Sequence, residues 1–170
     1  MSAEPDAEVA PVTLEPVAWE RHGALLADWL HRPHVSRWWE ADQLDRMRAT
    51  PERAHAMIAV RGTPVGYIRW QAAGREALEA AGLRELPPEA IDIDLFVGEA
   101  PWLGRGVGPS ALRLLLHRLA RERAAPLACL CTSTDNVAAL RAFEKAGFRR
   151  LRQFDDTTGE RCWVLVAELA

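Results

Sequence analysis

The segment from Ile91 to Ser110 constrains this chain more than any other. Ile91-Asp92-Ile93-Asp94-Leu95-Phe96-Val97 is an apolar run with carboxylates at alternate places, the pattern of a strand with one polar stripe. It breaks at Gly98-Glu99-Ala100-Pro101 and leads to Leu103-Gly104-Arg105-Gly106-Val107-Gly108, which opens into an apolar-periodic helix. Three glycines at alternate positions strip the Cβ atoms from that turn, so its backbone can approach a ligand closely or take positive φ. With the helix expected to start at Pro109 or Ser110, its unpaired N–H groups and positive dipole end face the same space. Such a turn suits an anion, most naturally a phosphate or pyrophosphate. The carboxylates of the preceding strand place a proton acceptor beside it.

Composition narrows the setting. A chain of 170 residues fits one domain with a core that needs no staples. The apolar share is 49%, yet the longest apolar runs fall far short of a membrane span. A net charge of −3 argues against a broad nucleic-acid footprint, which needs a basic face. Twenty arginines stand against one lysine, Lys145, and this reads chiefly as a lineage bias. Cys129, Cys131 and Cys162 lack the paired spacing of a zinc site or disulfide framework; all three fall in strand-like segments and read as buried free thiols. Met1 to Ala10 is acidic and proline-containing, unlike a secretory signal, so a disordered lead-in and a cytoplasmic location are expected. The remainder, 11–170, reads as a single domain.

Periodicity supplies the order of elements. Val12 to Val17 can form a strand, and Trp19 to Leu30 gathers Leu25, Leu26, Trp29 and Leu30 at helical spacing, with Pro33 as its stop. A second helical piece carries Val35, Trp38 and Trp39, and a further one runs through Leu44 and Met47 to Pro51. Strands at 56–60 and 65–70 flank the turn Arg61-Gly62-Thr63-Pro64. Gly74 to Pro88 reads as an excursion loop with a helical turn. After the glycine turn come a helix with Leu112, Leu115, Leu116 and Leu119 inward, a strand from Leu127 to Thr132, and a helix begun at Asn136 and stopped by Gly147. Phe148–Phe154 and Arg161–Val166 close the chain as an antiparallel pair. The expected fold is α/β: a twisted, mostly antiparallel mixed sheet of about six or seven strands with helices on both faces.

That order meets specific residues. Leu103 to Gly108 with its helix resembles the acetyl-CoA turn of the GCN5-related N-acetyltransferase superfamily. Asn136-Val137-Ala138-Ala139-Leu140-Arg141-Ala142-Phe143-Glu144-Lys145-Ala146-Gly147-Phe148 is similar to its second cofactor segment. Arg32-Pro33-His34-Val35-Ser36-Arg37-Trp38-Trp39-Glu40 and Ile93 to Gly98 resemble both the aminoglycoside 6′-N-acetyltransferases and the acyltransferases of siderophore synthesis. The resemblance implies acetyl-CoA as co-substrate, no metal, a small-molecule amine as acceptor, no nucleic-acid or membrane partner, and a monomer or homodimer. A triphosphate loop is excluded because no Gly-Lys-Ser/Thr follows, and the dinucleotide fingerprint fails because its third glycine comes one residue early.

The chemistry assigns roles. Acetyl transfer to an amine needs the amine neutral, the thioester within attacking distance and the developing oxyanion stabilised. Asp92 and Asp94 share one face of their strand, and the resemblance places Asp94 at the general base, with Asp92 second; a solvated polar stripe is the alternative. For the cofactor, backbone groups of Phe96 and Val97 are expected at the pantetheine. Leu103, Gly104, Arg105, Gly106, Val107, Gly108, Pro109 and Ser110 surround the pyrophosphate, and Asn136, Ala139, Phe143 and Lys145 come from the second segment. Asn136 equally caps its helix. For a polycationic acceptor the chain offers Trp38, Trp39, Glu40, Asp92, Asp94 and Asp135, with Asp42, Glu99, Asp155 and Asp156 as further carboxylates. His34 reads either as catalytic or as a packing and hydrogen-bonding residue.

Three departures from the family pattern stand out. Leu103 replaces an Arg or Gln, Cys131 replaces a carboxylate, and Phe143 replaces the tyrosine that protonates the departing thiolate. Transfer without a tyrosine acid is expected, since a thiol of pKa ~8.5 leaves readily. A siderophore-precursor acyltransferase and a non-catalytic acyl-CoA-binding module remain the alternatives to an aminoglycoside-type enzyme.

Overall fold

In the computed structural model, residues 11–40 and 42–169 are described; the expected lead-in at 1–10 lies outside them. They form seven strands and six α-helices. The strands, in chain order, are β1 (Val12–Glu15), β2 (His55–Val60), β3 (Thr63–Ala72), β4 (Ile91–Val97), β5 (Leu127–Ser133), β6 (Arg149–Asp155) and β7 (Arg161–Glu168). The helices are α1 (Trp19–His31), α2 (Pro33–Ser36), α3 (Gln43–Ala49), α4 (Arg75–Ala80), α5 (Val107–Arg121) and α6 (Val137–Lys145). Neighbouring strands follow the order β1-β2-β3-β4-β5-β7-β6. The β4–β5 pair is parallel, whereas β1–β2, β5–β7 and β6–β7 are antiparallel.

The chain forms two compact units. The first takes the described residues up to Ile68 together with Leu95–Ala111. Its core gathers Leu26, Trp29, Leu30, Val35, Met47, Met57, Tyr67 and Phe96. The second takes Arg69–Asp94 and the residues from Leu112 onward. Its core joins Leu78, Leu83, Leu86 and Ala90 to Cys129, Phe154, Cys162, Val164 and Val166. The stretch expected as an excursion loop is therefore part of a core, with α4 at its start.

Local chemistry explains the boundaries. Arg61 (φ 50°) and Gly62 (φ 80°) both take positive φ, so two residues close the β2–β3 hairpin and Thr63 and Pro64 enter the strand. The helical piece expected to carry Trp38 and Trp39 stops at Ser36; the amides of both tryptophans turn back to the Val35 carbonyl, at 3.0 and 2.9 Å. Helix α5 starts at Val107, earlier than Pro109, because Gly104 (φ 70°) and Gly106 (φ 77°) complete the turn before it. Asn136 caps α6, and Gly147 (φ 106°) ends it in a Schellman arrangement, with Phe148 N–H donating to Phe143 O and Gly147 N–H to Glu144 O, both at 3.1 Å.

Candidate active site

In the second unit, β4 enters beside β5 in the register Ile91↔Ala128 and Asp92↔Cys129, and the pairing covers only those two positions. Five residues of β4 continue beyond it. Asp92 and Asp94, on the polar stripe read from the sequence, differ in their surroundings. Arg69 on β3 donates from Nε to Asp94 Oδ2 at 3.1 Å, with the two side chains 18% and 38% exposed. Asp92 Oδ1 receives a long contact from the Cys129 thiol, 4.0 Å away. Burial first, and the neighbouring Asp94 charge second, push the Asp92 carboxyl up to about 8, with Arg69 pulling the other way. Burial and then the Asp92 and Asp94 charges likewise push the Cys129 thiol up to about 12, which leaves it a poor nucleophile at neutral pH.

The three cysteines are free, but only Cys129 and Cys162 are buried. Cys131 is exposed, contrary to the reading of three buried thiols: the apolar cluster that covers Cys129 does not include it.

In the first unit, the end of β4 is held by a polar clasp from α1 and α2. The Trp29 indole N–H donates to Glu99 Oε1 at 2.8 Å. Arg32 Nη1 donates to Glu99 Oε2 at 2.9 Å and to the Gly98 carbonyl at 3.1 Å. His34 Nε2 lies 3.1 Å from the Val97 carbonyl, so it carries the proton and donates. These contacts give His34 the hydrogen-bonding role and commit Glu99 to Trp29 and Arg32 instead of to an acceptor. Gly98 is required here, since a Cβ on it would overlap the Trp29 indole. Trp29 and Arg32 as anchors have no signal in the sequence beyond the Arg-Pro-His string.

The aromatic candidates divide. Trp39 is partly buried and packs edge-on against Phe96, a member of the core, with ring centroids 4.9 Å apart. Trp38 is half-buried beneath the Arg37 guanidinium at 4.8 Å, and Glu40 is exposed. Tyr67, the one tyrosine of the chain, is fully buried and its hydroxyl is 2.8 Å from His55 Nδ1, so it is no donor for a departing thiolate.

The glycine turn also belongs to the first unit. A Cβ built at Gly104 or Gly108 meets nothing within 4 Å. Gly104 needs its positive φ, whereas Gly108 lies in the first turn of α5, where nothing in the protein crowds it. Ser110 N–H closes the first helical turn on the Gly106 carbonyl at 3.1 Å, and Pro109 has no N–H. Neither amide serves an anion, and the residues that fit a pyrophosphate narrow to 104–108. The Arg105 guanidinium lies over Trp102 at 5.5 Å, and Leu103 is 47% exposed.

In the second unit, Asn136 accepts from Ala139 N–H at 3.3 Å and donates to Thr132 Oγ1 at 3.1 Å, so its side chain is a cap and a tie to β5. Phe143 is buried, Lys145 is exposed and offers its carbonyl to Arg113, and Asp135 is exposed. Among the described residues no group of three or more His, Cys, Asp or Glu could hold a metal ion, and no helix is long and apolar enough to cross a membrane.

With the carboxylate strand and the glycine turn in place, comparison with known proteins decides the family. The model of the acetyltransferase (GNAT) domain matches residues 18–156. The chain belongs to the GNAT acetyltransferases. Within that family it is 27% identical over 139 residues to the aminoglycoside N(6′)-acetyltransferase type 1 of Klebsiella pneumoniae, covering 75% of this chain and 69% of that one. The Serratia marcescens protein of the same name gives the same figures. Among solved structures, aminoglycoside acetyltransferase AAC(6′)-Ib in complex with coenzyme A and kanamycin superposes with a TM-score of 0.77 at 26% identity, covering 93% of this chain and 95% of that one. The aminoglycoside N(6′)-acetyltransferase of Legionella pneumophila, at 16% identity and a TM-score of 0.70, shares the fold.

Proposed function

We propose that this GNAT protein transfers the acetyl group of acetyl-CoA to a primary amine of an aminoglycoside or a similarly polycationic small molecule. The observation that carries the reading is the succession, along one chain segment, of the Asp92–Asp94 pair, with Arg69 on Asp94, and a turn in which Gly104 and Gly106 take positive φ ahead of α5. The relatives' names and the kanamycin in the AAC(6′)-Ib complex supply the acceptor class. In this reading, amides of 104–108 receive the pyrophosphate and the α5 dipole favours its charge. Backbone groups of Phe96 and Val97 receive the pantetheine amides, Arg105 adds charge at the rim, and Asn136, Ala139, Phe143 and Lys145 line the remainder. Trp38, Glu40, Asp94 and Asp135 attract and orient the ammonium groups of the acceptor.

The amine loses a proton to the Asp92–Asp94 pair and attacks the thioester carbonyl directly, with no covalent enzyme species and no metal. One acetyltransferase domain over 11–170 is consistent with the family match, which runs unbroken through residues of both units. The protein works as a monomer or homodimer in the cytoplasm.

Thiol release from acetyl-CoA with kanamycin tests the reading, run beside calorimetric titration with acetyl-CoA alone. Binding with kanamycin-dependent thiol release is the expected result. Binding without release to any amine supports a non-catalytic module, and release only with long acyl-CoA and a hydroxylated lysine supports the siderophore branch.

A further inference from the structure

The end of β4 is held from two directions, and every group that holds it belongs to the first unit. On one side β3 takes the amides: Gly98 N–H and Glu99 N–H both donate to the Val65 carbonyl, at 2.8 and 3.2 Å. A trans peptide aims its C=O opposite to its N–H, so the Val97 and Gly98 carbonyls point away from β3. Helix α2 supplies the donors for both. His34 Nε2 lies 3.1 Å from the Val97 carbonyl, and Arg32 Nη1 lies 3.1 Å from the Gly98 carbonyl. Arg32 is the N-cap of α2 and Pro33 its first residue, a position that suits the fixed φ of proline. The Arg-Pro-His string therefore delivers two donors, one place apart, to two successive carbonyls.

These contacts offset a local weakness. The Trp29 indole leaves no room for a Cβ at position 98, so the chain carries glycine there, the residue with the widest choice of backbone angles. A peptide plane beside that glycine, bonded on the β3 side alone, is free to swing. Bonded to Val65 on one side and to His34 on the other, it is fixed. We infer that His34 is a positioning residue for acetyl-CoA: its N–H on the Val97 carbonyl sets the end of β4 on the course that receives the pantetheine, and it carries no proton in the transfer. This deepens the acetyl-transfer reading above, in which Val97 meets the pantetheine, and rests on it. Order supplied by the protein beforehand is not drawn from binding energy. Loss of His34 therefore weakens cofactor binding and leaves the chemical step alone. Imidazole bears a proton on Nε2 both in the neutral tautomer this contact selects and in the charged form, so the contact survives a change of pH.

The test pairs calorimetric titration of the full chain with acetyl-CoA, no acceptor present, and steady-state thiol release with kanamycin, in wild type, His34→Ala and His34→Gln. His34→Ala is expected to raise Kd and KM for acetyl-CoA about three- to tenfold, with kcat and the KM for kanamycin within about twofold of wild type. His34→Gln, whose amide N–H can reach the same carbonyl, recovers most of the affinity and keeps the wild-type pH profile of kcat/KM. Hydrogen exchange at the Gly98 amide quickens in His34→Ala and slows again with acetyl-CoA bound. A His34→Ala protein that binds acetyl-CoA as wild type does overturns the positioning role, even where urea unfolding shows lost stability. So does a fall in kcat of about 100-fold or more in both variants with one limb of the pH profile gone, which would make His34 a proton carrier. Wild type that binds acetyl-CoA, loses affinity in His34→Ala and releases no thiol with kanamycin supports the role of His34 and overturns the acceptor reading. Wild type that binds no acetyl-CoA overturns both.

Discussion

Replacing Glu99 by alanine removes two partnerships of unequal weight. The Trp29 indole is fully buried, and its N–H donates to Glu99 at 2.8 Å. Without an acceptor it becomes an unsatisfied buried donor, a loss of about 1–3 kcal/mol. The Arg32–Glu99 ion pair is about one-third exposed on both sides, which places it at roughly 0.2–1 kcal/mol, and Arg32 keeps Asp28 at 2.7 Å and the Gly98 carbonyl at 3.1 Å. Glu99→Ala should therefore destabilise by about 1–4 kcal/mol. Glu99→Gln, which retains a carbonyl oxygen for the indole, should lose no more than about 1 kcal/mol.

Urea unfolding followed by far-UV ellipticity measures both variants, and a Trp29→Phe background isolates the indole. With the N–H gone, Glu99→Ala should cost only the Arg32 share. Equal costs for alanine and glutamine, within about 0.3 kcal/mol, or an alanine cost unchanged in the Trp29→Phe background, would refute the reasoning. The pH dependence has a definite sign. The Trp29 N–H first and Arg32 second hold the Glu99 carboxyl below its ordinary value. Its contribution is complete above the unfolded carboxylate range and is lost as pH falls through the lowered folded value. Glu99→Gln should lack that part of the acid sensitivity.

Gly98→Ala should destabilise by about 2–4 kcal/mol, because its Cβ overlaps an indole pinned by Glu99 and by Phe96 at 6.1 Å; melting within ~1 °C of wild type would contradict this. Asn136→Ala removes the α6 cap and the tie to Thr132, an expected loss of about 1 kcal/mol in chemical denaturation, and no measurable loss would sink the capping role. Phe143→Tyr should change turnover by less than about tenfold, since a thiol of pKa ~8.5 leaves without a protein acid. A gain of orders of magnitude in the thiol-release assay would show that the acid was limiting.

Elements whose chemistry is local were legible in the sequence. The Asp92–Asp94 stripe, the glycine turn and the Asn136 to Gly147 helix each carry their own stop and start signals within a few residues; the strand and the second helix fold where they were expected, and the turn gives way to α5 two residues early, at Val107. What escaped depends on partners far along the chain. Trp29 and Glu99 are 70 positions apart and Arg69 and Asp94 are 25 apart, so no window of sequence holds both members of either pair. Leu78, Leu83 and Leu86 fall on no single helical stripe, and their stretch looked like a loop although they enter a core. Cys129 and Cys131 alternate onto the same side of β5, yet burial depends on what covers that side. The apolar cluster includes the first and not the second.

Strand β4 shows why even a strong motif left the depth of each of its side chains open. Read by period two, Asp92, Asp94 and Phe96 fall on one stripe. The observed burial follows that rhythm through Asp94 and then slips by one place: Ile91 and Ile93 are buried, Asp92 and Asp94 are partly exposed, and Phe96 is buried although Leu95 and Val97 are not. Leu95, Phe96 and Val97 are all apolar, so nothing in the string marks where the phase changes. Asp92 and Asp94 are only partly buried, while Phe96 anchors among Trp29, Trp39 and Tyr67. Side chains on one side of a strand differ in burial according to what packs over each, so the period names the side and not the depth. Phe96 is buried because rings from positions 29, 39 and 67 close around it, and no string of neighbouring residues names those three.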